Sequence, residues 1–563
     1  MFVKGLRSFT APAASLGLAL LTLPAGAQAA WHGTASHAAA LENATQLGVL
    51  PDTATMHIAV SLKLQNRPAL EALVQNQHSL LSRDYGRTLS AEEFTASHAP
   101  NERQVQVVTD YLRRAGFSNI QVAANRLLVT ADARRSLVET AFNTSIRQFK
   151  LQDRTVFANT RDAQVPDELA DLVLAVTGLQ NANVAQPLYQ RADSAAKSKA
   201  GTNAVPLAGS ATGHVPVQFP TIYDVGGTAD GSNTEIGIIS DGNLTQTVAD
   251  LRAYESQNSL PQVTLDYVPA EVNGTDTSGT IEWDLDSQTS TSMAHNVKVL
   301  HFFNAASLND SDLEVAYNNA VLHPNVKAIN ISLGICESSE QSSGAMAATD
   351  QIFLAGSSQG QTFFASSGDG GAYTGCSGQQ GITTAVSYPA SSPYVVAVGG
   401  TTLNTNTDGS YAGETTWAGG GGGVSTAETA PSWQQSVTHS TARNVPDVAM
   451  DADPNSGAVI INAGTSTQVG GTSLAAPLAT GTWARVQSAH NNSLGFAAPV
   501  IYTAAASTPA SFHDVTSGCN SGTNFLDTLL STLLGQKDYC AKAGFDNTTG
   551  FGSFDVSRFN GAQ

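Results

Sequence analysis

Gly470-Gly471-Thr472-Ser473-Leu474-Ala475-Ala476-Pro477 is the stretch on which the reading of this 563-residue chain turns. A serine between a flexible Gly-Gly-Thr approach and small helix-forming residues predicts a tight turn into a helix. Its hydroxyl would face a substrate, while unpartnered N–H groups and the helix dipole favour negative charge nearby. Gly470 and Gly471 permit backbone that a side chain forbids. Pro477, read as close to the first turn, costs little there. Taken alone, the octapeptide reads equally well as a Gly/Ser loop before a buried helix. The two readings part on whether the chain also supplies a base.

Residues 280–288, Thr-Ile-Glu-Trp-Asp-Leu-Asp-Ser-Gln, carry three carboxylates. On a helix, Glu282 and Asp286 share a face. Asp284 points elsewhere and reads as a solvated or capping carboxylate. Two carboxyls that close cannot both ionise cheaply, so in acid they share a proton. Glu282 could then take the proton of Ser473 while Asp286 holds and polarises Glu282. General bases work best with a pKa near the working pH, and an ordinary Glu sits at about 4.3. This base implies an acid optimum. Without context, the simpler reading of such a pair is a wet acidic face. No His-Gly-x-His occurs; His32-Gly33-Thr34 comes nearest and lacks the second His. His295 and His301 flank an expected strand and read as structural, and Asp241-Gly242 reads as a turn. Ser366-Ser367-Gly368-Asp369-Gly370-Gly371 alone is a common Asp-Gly turn, and its Asp could donate a hydrogen bond only when protonated.

The Ser473 octapeptide resembles the nucleophile motif of subtilisin-like folds. That clan has a His-dependent branch, the subtilisins, and an acid branch, the sedolisins or serine-carboxyl peptidases, with Glu in place of His. Glu282-Trp283-Asp284-Leu285-Asp286 closely resembles the sedolisin Glu-x-x-x-Asp motif. The resemblance implies a Ser473, Glu282, Asp286 triad. It also places Asp369 where subtilisins use an oxyanion-binding Asn, so protonated Asp369 would donate to the oxyanion. Ser240 stands where some sedolisins carry a further Glu. Asn330-Ile331-Ser332-Leu333-Gly334 looks like the strand that pairs with substrate, with Ser332, Leu333 and Gly334 acting through main-chain groups. Residues 443–449 and 452–454 are family-like and read as scaffold around the cleft. Residues 512–516 and 541–550 resemble the two halves of the sedolisin calcium site. This implies one structural Ca²⁺ held by side-chain oxygens of Asp514 and Asp546 and carbonyls of Val515, Lys542 and Gly544. Lys542 departs from the family's usual Gly.

Residues 1–29 read as a signal peptide, from Lys4 and Arg7 through a short apolar run to Ala27-Gln28-Ala29. A secreted, extracellular protein is therefore expected, with no segment long enough to span a membrane. Its four cysteines suggest two disulfides. Local spacing favours Cys519–Cys540, and similarity to bacterial sedolisins implies a bridge between Cys336 and Cys376. Residues 30–190 alternate strands with helices and read as an α+β domain. Helices are expected over 68–82, 104–115 and 131–142, and Ser90 with Glu93 makes a capping box. The run Tyr85 to Phe94 resembles the sedolisin prodomain, whose fold is ferredoxin-like. Residues 191–213 lack periodicity and read as an exposed linker holding the maturation cleavage. Residues 214–563 read as an α/β subtilisin-like catalytic domain, a parallel central sheet covered by helices. Strands are expected over 235–240, 294–303, 326–333, 362–367 and 394–398.

Residues 1–200 hold 19 Lys and Arg against 16 Asp and Glu, and the remainder 8 against 30. So acidic a second part disfavours nucleic acid as a partner. It also suggests that the prodomain acts as an intramolecular inhibitor held by opposite charge, which acid would loosen. The reading is a monomeric acid endopeptidase acting on proteins or peptides and made as a self-processing zymogen. A neutral His-dependent protease and a non-catalytic binding protein on the same scaffold are the alternatives; a two-carboxylate glycosidase lacks an aromatic sugar platform.

Overall fold

The computed structural model describes residues 1, 30–41, 43–79, 81–192, 211–269, 275–373, 384–521 and 539–563. The expected signal peptide beyond Met1, most of the expected 191–213 linker and Cys376 lie outside the described residues. Among the described residues, no helix is long and apolar enough to cross a membrane.

The apolar runs of the second part assemble into one sheet. Its order is Leu265–Val268, Val299–Ala305, Glu235–Asp241, Val326–Ile331, Thr362–Ser366, Val396–Thr405. These neighbours are parallel. Val448–Asp451 adds in parallel to Val396–Thr405, and Tyr411–Thr416 pairs antiparallel with its far half. Strands covered on both faces need apolar residues at successive positions, and Phe363, Phe364 and Ala365 are all fully buried. Helices cover the sheet in two groups. Thr245–Gln257, Thr280–Ala294 and Thr472–Ala489 pack together, and Asp310–Val321 packs with Ala345–Ser358.

Three strand expectations shift. Residue 294 still belongs to the helix Thr280–Ala294, so the following strand begins at Val299. The run 326–333 breaks at Ser332, where the chain leaves the main sheet and starts the strand Leu333–Cys336. The run 394–398 is only the start of the ten-residue strand Val396–Thr405.

The α+β expectation for residues 30–190 describes the fold there. Ser118–Val122, Leu128–Arg134, Thr55–Leu62 and Val173–Thr177 form an antiparallel sheet in that order. A second sheet joins Thr45–Val49, Ile146–Leu151 and Arg154–Asn159. The capping box closes as expected, with Glu93 N–H donating to Ser90 Oγ at 3.1 Å and Ser90 N–H to Glu93 Oε2 at 2.9 Å. The helices found are Arg67–Asn76 and Glu102–Arg114 where 68–82 and 104–115 were expected. The helix expected over 131–142 begins only at Arg135. Ala131 and Ala133 instead extend the strand Leu128–Arg134, both buried. Pairing with Thr55–Leu62 overrides the helical preference of alanine.

This domain sits on the helices Asp310–Val321 and Ala345–Ser358 through Thr55–Leu62, Val173–Thr177 and Arg67–Asn76. Leu70, Val74, Phe94 and Leu127 belong to the same apolar core as the catalytic sheet. Gln351 Nε2 donates to the Leu62 carbonyl at 2.9 Å, and Leu89 N–H to that of Ser358 at 2.8 Å. Among the described residues no direct ion pair joins the two domains; Arg67 meets its own domain's Glu71 at 2.8 Å, and its charge also lowers Asp350 and Glu428 of the second part. The contact instead covers acids. Ser61 Oγ donates to Glu314 Oε2 at 3.3 Å, and Gln180 Nε2 to Asp310 Oδ2 at 3.0 Å. Burial pushes Asp310, Glu314 and the neighbouring Glu340 above the usual carboxylate range. The Ser61, Thr177 and Gln180 donors of the activation domain pull Glu314 and Asp310 back down against that burial.

Candidate active site

Gly471 carries the chain into the helix Thr472–Ala489 at φ +101°. The left-handed region favours glycine, and space demands it too. A Cβ there would lie 2.3 Å from the Leu188 carbonyl oxygen and 2.5 Å from Asp369 Oδ2. The first N–H groups of a helix lack internal partners, and here each is used. Thr472 N–H donates to Asp369 Oδ1 at 2.8 Å, and Ser473 N–H to the Leu188 carbonyl at 3.0 Å. Pro477 lies inside the helix, a turn deeper than expected. Having no N–H, it leaves the Ser473 carbonyl without its usual helical donor, and Ser332 Oγ approaches that carbonyl at 3.4 Å.

The helix Thr280–Ala294 packs against the nucleophile helix and brings its acids with it. Ser473 Oγ donates to Glu282 Oε2 at 3.0 Å. Asp286 Oδ1 accepts from Ser332 Oγ at 2.6 Å, and Asn330 Nδ2 backs Ser332 Oγ at 3.0 Å. Glu282 Oε1 and Asp286 Oδ2 are buried with no other partner. Burial drives Glu282 well above the usual range, with the Asp286 charge adding to it. Burial likewise raises Asp286, against the lowering pull of Ser332 and Asn330. Such a pair resists carrying two charges and retains a proton.

Asp369 follows the strand Thr362–Ser366. Its Oδ1 also accepts from Thr472 Oγ1 at 2.9 Å, while its Oδ2 is buried and unpartnered. Burial pushes it up to about 7 despite both Thr472 bonds. Protonated, that Oδ2 could donate a hydrogen bond to an oxygen lodged beside Gly471.

The cleft is filled by the chain itself. Gln186–Pro187 pairs antiparallel with Leu333–Cys336, Gln186 opposite Gly334 and Pro187 opposite Leu333. Leu188 N–H donates to the Ser332 carbonyl at 3.2 Å. Gln190–Arg191 pairs antiparallel with Thr465–Gly470, Gln190 opposite Gly470. Ser332, Leu333 and Gly334 thus meet an extended strand through main-chain groups, and Ser332 also acts through its hydroxyl, which the sequence did not reveal.

Asp284 is a correction. It is fully buried rather than solvated, accepts from Asn462 Nδ2 at 2.8 Å, and is pushed by burial up to about 8. No imidazole hydrogen-bonds to Ser473, Glu282, Asp286 or Asp369 among the described residues; His301 is engaged by Asp266 and Glu235. Asp241 is raised to about 6 by burial and by Asp276. Ser240 Oγ donates to Asn304 Oδ1 at 3.0 Å instead of extending the triad. Arg443 grips Asp447 with two bonds of 2.6 Å deep in the scaffold, as residues 443–449 suggested.

Near the C-terminus the two expected calcium half-sites meet. Gly544 N–H donates to Asp514 Oδ2 at 2.9 Å and Lys542 N–H to Asp546 Oδ2 at 3.0 Å. Among the described residues no three His, Cys, Asp or Glu cluster as metal ligands, so main-chain carbonyls would have to complete any coordination. The residues fit a hard cation: the donors are oxygens, and Lys542 is exposed, leaving its ammonium free to point into water. Cys519–Cys540 is bonded beside this loop. Cys336 is disulfide-bonded, and its expected partner Cys376 lies outside the described residues.

A hydroxyl at a helix N-terminus, bonded to a buried carboxyl beside a second one and with no imidazole on them among the described residues, is the arrangement a serine peptidase with a carboxyl base would need. Residues 42–182 match the pro-kumamolisin activation domain and residues 173–552 the subtilase family. The chain is 41% identical to sedolisin of Pseudomonas sp. (strain 101), over 90% of this chain and 86% of that protein. It is 38% identical to xanthomonalisin of Xanthomonas sp. (strain T-22), over 90% of this chain and 65% of that protein. A solved structure of Pseudomonas sedolisin, a serine-carboxyl proteinase, complexed with two molecules of pseudo-iodotyrostatin, superposes with a TM-score of 0.58. At 41% identity it covers 63% of this chain and 98% of its own. This chain belongs to the sedolisin family and is a serine-carboxyl peptidase with an activation domain.

Proposed function

We propose that the protein is exported as an inactive precursor and, once processed, hydrolyses peptide bonds within proteins in acid. The observation that carries this reading is the 3.0 Å contact from Ser473 Oγ to a buried Glu282 that shares its site with Asp286. Ser473 attacks the peptide carbonyl as Glu282 accepts its proton, and Asp286, held by Ser332, orients Glu282 and stabilises it by sharing a proton. The oxyanion is met by Ser473 N–H and by Asp369 in its protonated form. Two steps thus need partly protonated carboxyls, which sets the acid optimum. In the precursor, residues 186–191 fill the cleft and the activation domain holds them there, so that domain serves as an intramolecular inhibitor. Ser473→Ala precursor, incubated at pH 4 with a protein substrate beside the wild type, tests the assignment. The variant should show less than about 10⁻³ of wild-type hydrolysis; comparable hydrolysis would remove Ser473 from the reaction.

One structural Ca²⁺ is proposed between the 512–516 and 541–550 segments, held by Asp514 and Asp546 with carbonyls of Val515, Lys542 and Gly544. It would brace this loop outside the catalytic steps. Chelation should lower the thermal midpoint by roughly 5 °C or more, as loss of a tightly bound ligand does, and added calcium should restore it. Asp546→Ala should abolish that response. A midpoint indifferent to both calcium and chelator would exclude the ion.

A further inference from the structure

The helix Thr280–Ala294 carries polar side chains on two faces. At about 3.6 residues per turn, Glu282 and Asp286 share the face towards Ser473, and Asp284 and Gln288 share the opposite one. There they meet a hairpin formed by the strands Ala458–Asn462 and Thr465–Gly470. We propose that Asp284 is a positioning residue: joined to Asp250, it fixes this hairpin, whose outer edge holds the part of a substrate that follows the bond being cut. This rests on the peptidase reading above and adds to it a residue that acts on binding rather than on the proton.

Both side chains of that second face are spent on the hairpin. Gln288 Nε2 donates to the Ile461 carbonyl at 2.7 Å, and Ile461 N–H donates to Gln288 Oε1 at 2.9 Å. Asn462 Nδ2 donates to Asp284 Oδ2 at 2.8 Å. The turn itself is gripped from the helix Thr245–Gln257. Ala463 N–H donates to Asp250 Oδ2 and Gly464 N–H to Asp250 Oδ1, both at 2.8 Å. The turn residues stand at φ +48° and +72°, as a two-residue hairpin turn requires. Alanine seldom adopts such backbone, so this turn depends on its anchor. The two carboxyls form one unit. Asp250 acts on Asp284 both by its charge and as a hydrogen-bond partner, with Thr247 beside them. Asp284 Oδ1 is buried without a donor of its own, so a proton there turns an acid–acid contact into a bond to Asp250. Burial, helped by the Asp250 charge, holds Asp284 at about 8. It therefore keeps that proton throughout the acid range.

The hairpin so held forms one wall of the cleft. The outer edge of Thr465–Gly470 pairs with Gln190–Arg191, Gln190 opposite Gly470 and Arg191 opposite Val469. A substrate running in the direction of residues 186–191 lays along this edge the residues that follow the one whose carbonyl meets Ser473 N–H. Pairing with an edge strand is main-chain pairing, and it is stronger when the edge is already ordered. Freed from Asp284, the hairpin must be ordered again each time that part of a substrate binds. The nucleophile has its own anchors, because Gly471 N–H donates to the Ala452 carbonyl at 2.6 Å and Thr472 N–H to Asp369 Oδ1. Loss of Asp284 therefore acts on KM, for substrates long enough to reach the edge, and leaves kcat.

The test uses the processed enzyme at pH 4 and a bond that the wild type cuts in denatured serum albumin. Two amidated peptides carry the four residues before that bond and either three or one after it. Asp284→Ala should raise KM for the longer peptide by at least about tenfold, and change KM for the shorter one and kcat for both by less than about twofold. Asp284→Asn can donate to Asp250 as the protonated acid does and still accept from Asn462, so it should bring the longer peptide's KM back to within about threefold of wild type. A merely structural loss would lower the active fraction, and so kcat, on both peptides alike. Should Asp284→Ala give no processed enzyme, Asn462→Ala breaks the same contact from the hairpin side and should show the same selective rise in KM, by a factor of about three or more. Equal changes on the two peptides, or an asparagine variant as impaired as the alanine one, would overturn the proposal while the peptidase reading stands. If the wild type cuts no bond in albumin, both fail.

Discussion

Replacing Glu282 with Gln should lower kcat/KM on a peptide substrate by about 10²–10⁴-fold, with most of the loss in kcat. Gln has nearly the same size and can still meet Ser473 Oγ, now 3.0 Å from the carboxyl. It cannot accept the proton, so the hydroxyl stays a weak nucleophile. The contacts that hold residues 186–188 in the cleft run through the Ser332 carbonyl, Gly334 and Ser473 N–H; a substrate held the same way would not feel the change, so KM should hold. Asp286→Asn should cost less, because Asp286 acts through Glu282. Steady-state kinetics on the processed proteins check both. More than about a tenth of wild-type kcat in Glu282→Gln would mean that the base is another group.

The precursor should be most stable in acid and weaken as the pH rises. Burial holds Glu282, Asp286, Asp310, Glu314, Glu340 and Asp451 above their ordinary values. It pushes Asp284 up to about 8 and Glu428 to about 9. In the unfolded chain such groups ionise at about 4. Above that pH the folded state binds more protons than the unfolded, so stability falls with rising pH. The stabilisation is complete below about pH 4 and is lost as pH climbs through 8 and 9, each tenfold difference in proton affinity between the two states being worth about 1.4 kcal/mol. Carboxyls displaced the other way, such as Asp52, Asp276 and Asp408, are exposed or nearly so and offset little. Thermal melts of the Ser473→Ala precursor, which cannot process itself, should show the midpoint dropping by at least about 10 °C between pH 4 and pH 8. A midpoint that peaks at pH 7 to 8 would show that these acids ionise within the fold at little cost.

That Ser473, Glu282 and Asp369 would lie together was legible, because each sits in a short motif whose proposed chemistry needs that residue type at that place, and Asp286 follows Glu282 on the same helix. Asp284 was misread because helical spacing gives a face, not what covers it. The helix Thr280–Ala294 is buried nearly all round, its polar residues included, so no amphipathic stripe marks an inside. The cover comes from Asn462, far away in sequence. Asn330 and the Ser332 hydroxyl lay within a stretch already singled out, but their hold on Asp286 depends on how that strand end meets a helix. Pro477 was placed a turn too early because a motif carries no helix register. Residues 186–191 were missed for a different reason. Gln-Pro-Leu-Tyr-Gln-Arg has neither glycine nor periodicity to announce a strand, and it is extended only because two cleft edges pair with it.

The central claim is that carboxyls, partly uncharged, move the proton and hold the oxyanion. The dependence of kcat/KM on pH for the processed enzyme tests it most directly, because Asp369, held at about 7, can donate only while protonated. Activity is predicted to be greatest in acid and to be lost as rising pH takes the proton from Asp369, which burial holds above the ordinary carboxylate range. Activity that instead rises through neutrality to an alkaline plateau, as an imidazole base would give, would contradict the account.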